Sequence, residues 1–208
     1  MATSDHDLFE IMRSTRSMRR LKPDPVPRAL IRQVLEAGSM AANGGNMQTW
    51  RFLVIEDPAI KAAAGAFYTK AWNEVVAPRY RAGGPAPGMT QERFDRMLDA
   101  AQYLADHFHE APVWIVPCVV GGTPTRTSGA SIYPAVQNML LAARALGLGA
   151  TLTTLYLQHE KEAEAAMGLP EGVRSYAILP VGYPLGRFGP VRRGNLDDVV
   201  YWDRWGSN

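Results

Sequence analysis

Two stretches set the layout of the chain: Ala41-Ala-Asn-Gly-Gly-Asn-Met-Gln-Thr-Trp-Arg-Phe52, and before it Thr15-Arg-Ser-Met-Arg-Arg-Leu-Lys-Pro-Asp-Pro-Val-Pro27. In the earlier stretch Pro23, Pro25 and Pro27 fix the backbone dihedral and remove amide donors, so the chain there is extended or turning. Between the two, Leu30, Ile31, Val34, Leu35 and Met40 recur at helical spacing, which predicts an amphipathic helix over 28–42 with one buried face. Asn43-Gly-Gly-Asn46 stops that helix. Trp50–Ile55, aromatic and β-branched and closed by Asp57-Pro58, then reads as a strand.

Working outward, residues 7–14 fit a short helix. Residues 60–77 and 91–110 read as helices, parted by the loop Arg79-Tyr-Arg-Ala-Gly-Gly-Pro-Ala-Pro-Gly88, whose Gly and Pro residues oppose regular structure. Residues 113–120 form a buried strand in which Pro117 lacks a ladder donor, predicting an edge or a bulge. A loop over 121–129 leads to a central helix over 131–146, with Ser131 as its cap near Pro134, ended by Gly147-Leu-Gly149. Residues 150–157 read as loop or strand, 158–167 as a short charged helix, and 176–182 as a last core strand. The tail from Pro184 carries Arg187, Arg192, Arg193, Trp202 and Trp205, aromatics that need a surface, one that a second subunit can provide.

The chain has 208 residues, with 22 Lys+Arg against 20 Asp+Glu and a formal charge of +2. That length builds a full core in one domain over 1–208. The near-balanced charge gives no reason to expect a nucleic-acid partner. Cys118 is the sole cysteine, which excludes an intrachain disulfide, a multi-Cys zinc site and a CxxC redox pair. In its apolar strand it reads as an inert core thiol. No apolar run reaches the roughly 20 residues of a membrane helix, and the start of the chain is acidic and polar, so the expectation is a cytoplasmic protein without a membrane partner.

There is no GxSxG elbow, no Walker A, no HExxH, and Gly147-x-Gly149 lacks the third glycine of a dinucleotide fingerprint. Of the four histidines, His6 and His159 stand alone, and His107 and His109 lie two apart, pointing apart on a helix, so no metal site is expected. Glu160-Lys-Glu-Ala-Glu164 reads as a solvated helix face. What remains is a set of anion- and amide-binding groups. Arg16, Ser17, Arg19 and Arg20 near one end, and Arg192 and Arg193 near the other, suit a phosphate monoester, because a guanidinium pairs with it through two parallel hydrogen bonds. Either cluster taken alone also fits a surface patch. The turn 43–48 offers amides and an approachable backbone to the polar edge of a planar heterocycle, and equally fits a plain helix stop.

The same residues carry a resemblance. Residues 15–27 followed by 41–52 resemble the opening of the FMN-dependent nitroreductase family, an R-R-S-x-R-x-F-x-P segment and then an A-P-S-x-x-N-x-Q-P-W-x-F segment. Val136-Gln-Asn-Met-Leu-Leu-Ala-Ala-Arg-Ala-Leu-Gly-Leu-Gly149 is similar to the family's central helix, and Val191-Arg-Arg-Gly-Asn-Leu-Asp-Asp-Val-Val200 to its closing R-x-P-L-x-E-V motif. Each motif is loose; four in order are specific. The departures are Thr15 in place of an Arg, Ala42-Asn43 in place of Pro-Ser, and Thr49 in place of the Pro before Trp50.

The resemblance implies an α+β sandwich: a central, mostly antiparallel sheet flanked by helices, in an intertwined homodimer, with a variable helical or lid excursion at about 62–110. It implies FMN at the subunit interface. Arg16, Ser17 and Arg19 would hold its phosphate and pyrimidine side, with Arg193 and Arg192 closing on the phosphate. Asn43, Gly44 and Asn46 would reach the ring from the other subunit, and Leu152, Thr153 and Thr154 would line its dimethylbenzene-to-N5 flank. Chemistry carried by the flavin needs no catalytic triad, and Arg19 is the candidate for tuning it. The implied activity is ping-pong transfer of hydride from NADH or NADPH, through flavin N5, to a small electron-poor acceptor such as a nitroaromatic or quinone. Residues 68–89, with Trp72 and Tyr80, are where substrate selection is expected, as a lid over one flavin face, and equally fit a plain solvent loop. Rival readings are another FMN reaction on the same scaffold (reductive dehalogenation, desaturation or flavin fragmentation) and a flavin-storage protein without reductase activity. The resemblance gives the family's dehalogenases a Glu, Tyr and Lys lid triad that grips an amino-acid zwitterion, and here Tyr68 and Lys70 sit together with no Glu shortly before them.

Overall fold

The computed structural model describes residues 7–121 and 125–207; His6 and residues 122–124 of the expected 121–129 loop lie outside them. The chain runs α1 (Leu8–Ser14), α2 (Arg28–Ser39), β1 (Trp50–Ile55), α3 (Pro58–Ala71), a π-helical turn (Trp72–Val76), α4 (Ala77–Gly83), α5 (Gln91–Asp106) and β2 (Val113–Val120). It continues through α6 (Arg126–Ala145), β3 (Gly149–Ala150), α7 (Glu160–Ala166), β4 (Val173–Ser175) and β5 (Leu179–Gly182).

Every strand pair is antiparallel, in the order β1-β2-β5-β3, with β4 also on β2. β2 is central, and its alternation divides the core. Val113 and Ile115 face α2 and α6, packing with Ile31, Val34, Val136 and Met139. Trp114, Val116 and Cys118 face the other layer, with Tyr68 and Trp72 of α3 and the π turn, Leu104 of α5 and Ala163 of α7. A strand covered on both faces reads as a continuous apolar run, as residues 113–120 do. Each fully buried large side chain here contributes about 1.5–3 kcal/mol.

Pro117 therefore does not mark an edge. Its carbonyl accepts the Tyr176 N–H at 2.9 Å, and N and O of one strand residue point to the same side. The missing donor thus faces the gap where β2's second neighbour changes from β5 to β4.

Three other expectations change. The central helix starts at Arg126, not near Ser131: Thr125 caps it in a reciprocal box with Ser128, and Pro134 lies inside the helix. The loop expected over 79–88 starts only at Gly84, whose φ of 66° ends α4; the helical stretch through Arg79–Gly83 tolerates Pro78 because it falls in the first turn. Glu164 is not solvated. It is 4 % exposed, its Oε1 accepts the Ser175 N–H (2.7 Å) and Oγ–H (2.8 Å), and its Oε2 accepts from Arg174 (2.9 Å). Tyr156 donates to the same Ser175 hydroxyl at 2.8 Å. Composition alone made Glu164 look like its exposed neighbour Glu162; the short α7 turns it toward β4. Lys61 is a second buried charge, donating to the carbonyls of Ala111 (2.7 Å) and Pro112 (3.2 Å) ahead of β2, and its burial lowers the pKa of the ammonium.

Candidate functional site

The proline-rich segment runs alongside the tail. Lys22 N–H donates to Tyr183 O (2.7 Å), Leu185 N–H to Arg20 O (3.0 Å), Val191 N–H to Arg13 O (2.7 Å), and Met18 N–H to Ala150 O of β3 (3.0 Å). These bonds draw residues from both ends of the chain together. Gly149 is where the strands of this crossing touch: a Cβ there would stand 2.9 Å from Leu21 Cδ2, 3.0 Å from Met18 Cβ and 3.2 Å from Pro184 Cβ. Arg144 clamps the same region from α6. Its Nε donates to Ser14 Oγ at 3.0 Å, and its guanidinium lies 4.3 Å from the centre of the Phe188 ring.

The crossing encloses a cavity of about 770 Å³. Arg16, Ser17, Arg19, Arg192 and Arg193 all line it, so the two basic clusters form one site. Arg20, Arg187 and, from α5, Arg93 and Arg96 line it as well, and no Asp or Glu is among the lining residues. Among the described residues only Arg96 of these eight has a carboxylate within ion-pair distance, Glu92 at 2.8 Å. Arg193 Nη1 donates to the Arg192 carbonyl at 3.0 Å, and Arg20 stacks 4.6 Å from the centre of the Tyr103 ring on α5.

Arg19 is half-buried, with its charge near enough to act on Tyr68. Burial raises the Tyr68 phenol pKa, and the Thr153 side chain and the Arg19 charge pull it partly back. Thr153 is buried and exchanges two backbone hydrogen bonds with Ile178 (3.0 and 2.9 Å), leaving Leu152 partly exposed and Thr154 half-buried beside it.

Asn43, Gly44 and Asn46 lie elsewhere. Gly44 N–H donates to Ser131 Oγ at 3.2 Å, near the start of α6, and Asn43 Oδ1 accepts the Gln48 N–H at 2.9 Å. Gly45, Asn46 and Gln48 all have positive φ (56°, 54° and 49°), and residues 44–48 of the turn are exposed. From Ser131 to Arg144 is 13 helical steps, about 20 Å at 1.5 Å each. One chain does not bring the amide turn to the arginine cavity.

A family model for the nitroreductase family matches residues 12–183. The chain belongs to the nitroreductase family. This nitroreductase-family chain is 32% identical over 202 residues to an NADH dehydrogenase of Thermus thermophilus, covering 90% of this chain and 91% of that one. It is 27% identical over 184 residues to a putative NAD(P)H nitroreductase of Bacillus subtilis (85% and 84% covered). Its fold matches the crystal structure of an oxidized iodotyrosine deiodinase bound to FMN and 3-iodo-L-tyrosine with a TM-score of 0.75 at 24% identity, over 96% of this chain and 100% of that one.

The sequence reading missed the α5 arginines and Arg144, and placed Tyr68 only at the start of the lid. Arg93 and Arg96 belong to a helix read from its Ala, Leu, Met and charged residues, and nothing local marks its basic stripe as facing the 16–20 segment. The expected lid is reduced: over 68–83 the chain is helical, with Tyr68 and Trp72 in the core, and Trp72 Nε1 donates to Gln102 at 2.8 Å. His107 and His109 form no metal cluster among the described residues; His107 Nδ1 lies 3.0 Å from Glu110 instead. Among those residues no helix is long and apolar enough to cross a membrane.

Proposed function

We propose that this chain binds FMN in the arginine cavity and acts as a homodimeric oxidoreductase. It takes hydride from NADH or NADPH and delivers it to a small electron-poor acceptor, a nitroaromatic or quinone. The observation that carries the reading is the convergence of Arg16, Ser17 and Arg19 with Arg192 and Arg193 on one cavity free of lining carboxylates. Guanidinium forks from two segments, with no competing acid, fit a phosphate monoester. The Thermus relative's name supports the donor, and the FMN of the deiodinase structure supports the cofactor.

In this reading Arg16, Ser17, Arg192 and Arg193 hold the phosphate, and Leu152, Thr153 and Thr154 flank the ring. Arg19, half-buried and acting on Tyr68 through its charge, would place a positive charge where reduction adds a negative one. Asn43, Gly44 and Asn46 serve the partner's cofactor, because their own cavity lies about 20 Å along α6. When bound, the flavin supplies the hydride chemistry itself. The chain binds, orients and tunes, and donor and acceptor use one open face in turn.

The test is the visible spectrum of the purified, desalted chain, followed anaerobically with NADH and then NADPH. Flavin bands that bleach with either nucleotide are expected. A colourless chain that takes up no added FMN overturns the reading, and bound FMN that neither nucleotide bleaches points to storage.

The deiodinase fold match favours reductive dehalogenation as a second reading. Against it, Tyr68 is 3 % exposed while Lys70 lines a separate groove with Asp106 and His109, so the two do not jointly grip an amino-acid zwitterion. Turnover of a halotyrosine would reverse that judgement.

A further inference from the structure

The arginine cavity holds more positive charge than one phosphate monoester satisfies. Such a group carries about two negative charges at neutral pH, and four guanidiniums, on Arg16, Arg19, Arg192 and Arg193, are already assigned to FMN. Four more line the same space: Arg20, Arg93, Arg96 and Arg187. This is a local concentration, since the whole chain carries a formal charge of only +2. Like charges gathered without lining acids repel one another unless an anion enters.

The second quartet is organised by α5. Arg93, Arg96, Met97 and Ala100 recur at three- and four-residue spacing and all line the cavity, so they form one stripe of the helix. Tyr103, one turn further on, holds Arg20 against the same helix at 4.6 Å. Arg187 comes from the tail. The acids of this helix leave the stripe available. Asp95 accepts from Gln91 at 2.8 Å, and neither Asp95 nor Asp99 lines the cavity. Glu92 pairs with Arg96, but both side chains are largely exposed, and such pairs exchange readily for a better anion.

Building on the flavin-oxidoreductase reading, we infer that α5 forms a second anion subsite, beside that of the cofactor phosphate, and that one of the two small-molecule substrates carries a phosphate or carboxylate which Arg93 and Arg96 grip with Arg20 and Arg187. Two sources share this chemistry: the 2′-phosphate that distinguishes NADPH from NADH, and an acidic group on the acceptor.

The test compares the FMN-loaded chain with its R93Q/R96Q variant. Calorimetric titration with inorganic pyrophosphate is expected to show binding that the variant weakens roughly 10–100-fold, the scale of one or two charge-assisted hydrogen bonds. FMN affinity, read by flavin fluorescence, is expected to stay unchanged and also reports that the variant is folded. Steady-state kinetics then separates the sources. A KM rise for NADPH but not NADH assigns the subsite to the donor. A rise for 4-nitrobenzoate but not 4-nitrobenzyl alcohol assigns it to the acceptor. Unchanged pyrophosphate affinity and KM values overturn the subsite alone. A parallel loss of FMN affinity also overturns it, because α5 then serves the cofactor's own phosphate. A wild-type chain that takes up no FMN overturns the flavin reading and this inference together.

Discussion

Cys118 and Arg19 show how the surroundings of a side chain set the chemistry open to it. Cys118 is 2 % exposed, and burial, assisted by the negative charge of Glu164, pushes its thiol pKa up to about 12. The unfolded chain releases that proton near pH 8.5. From about pH 9 upward the native state therefore holds a proton the unfolded state has lost, and the thiol's contribution to stability falls by up to about 1.4 kcal/mol per pH unit. Native protein is expected to resist a disulfide reagent at pH 8.5 and to react fully in urea; labelling of the native protein at the unfolded rate would contradict this. Arg19 is a different case, a half-buried guanidinium with no carboxylate within ion-pair distance among the described residues, next to Met18, whose N–H is held by Ala150 of β3. In R19A the flavin midpoint potential is expected to fall, because negative charge added on reduction loses its stabiliser. An unchanged midpoint removes the tuning role.

At the level of elements, three weak segments form the crossing beside the cavity and hold one another. The proline-rich stretch, the two-residue β3 and the tail have few ladder bonds of their own, and they meet at Gly149. Adding one methyl there forces backbone movement against Leu21, Met18 and Pro184, a change that typically costs about 1–3 kcal/mol in a packed site. G149A is expected to lower the urea midpoint by a corresponding amount and to weaken FMN retention, since Met18 sits between Ser17 and Arg19. A wild-type midpoint in G149A would mean that the crossing is looser than its distances suggest.

For the whole molecule, the surface carries large exposed apolar side chains. Met40 (80 % exposed) and Met47 flank the amide turn, and Trp202 and Trp205 (91 %) stand out from the tail. Large apolar groups this exposed offer the proposed homodimer a surface to bury. Their placement with the turn far along α6 from the arginines is what a shared-site dimer requires. Mixing an R16A/R193A chain with an N43A/N46A chain, each impaired alone, is expected to give heterodimers with one intact site and about a quarter of wild-type FMN content and activity, for random pairing with the FMN sites of both parents impaired. No recovery after co-refolding would place the turn outside the site.

Much of this was legible along the chain because it depends on local causes. The 28–39 helix follows from apolar spacing, the 113–120 strand from a doubly buried apolar run, and the basic ends from residue type. The family resemblance added the order in which such pieces are assembled. Other features depend on which surface faces which. Whether Glu164 meets water or Ser175, whether Pro117 sits at an edge or at a gap between β4 and β5, and whether Arg93 and Arg96 face solvent or the 16–20 segment are fixed by contacts between residues far apart in sequence. Hydrophobic spacing determines that a helix has an inner side; only the packed sheet and the crossing at Gly149 decide which charged residues of that helix share a cavity.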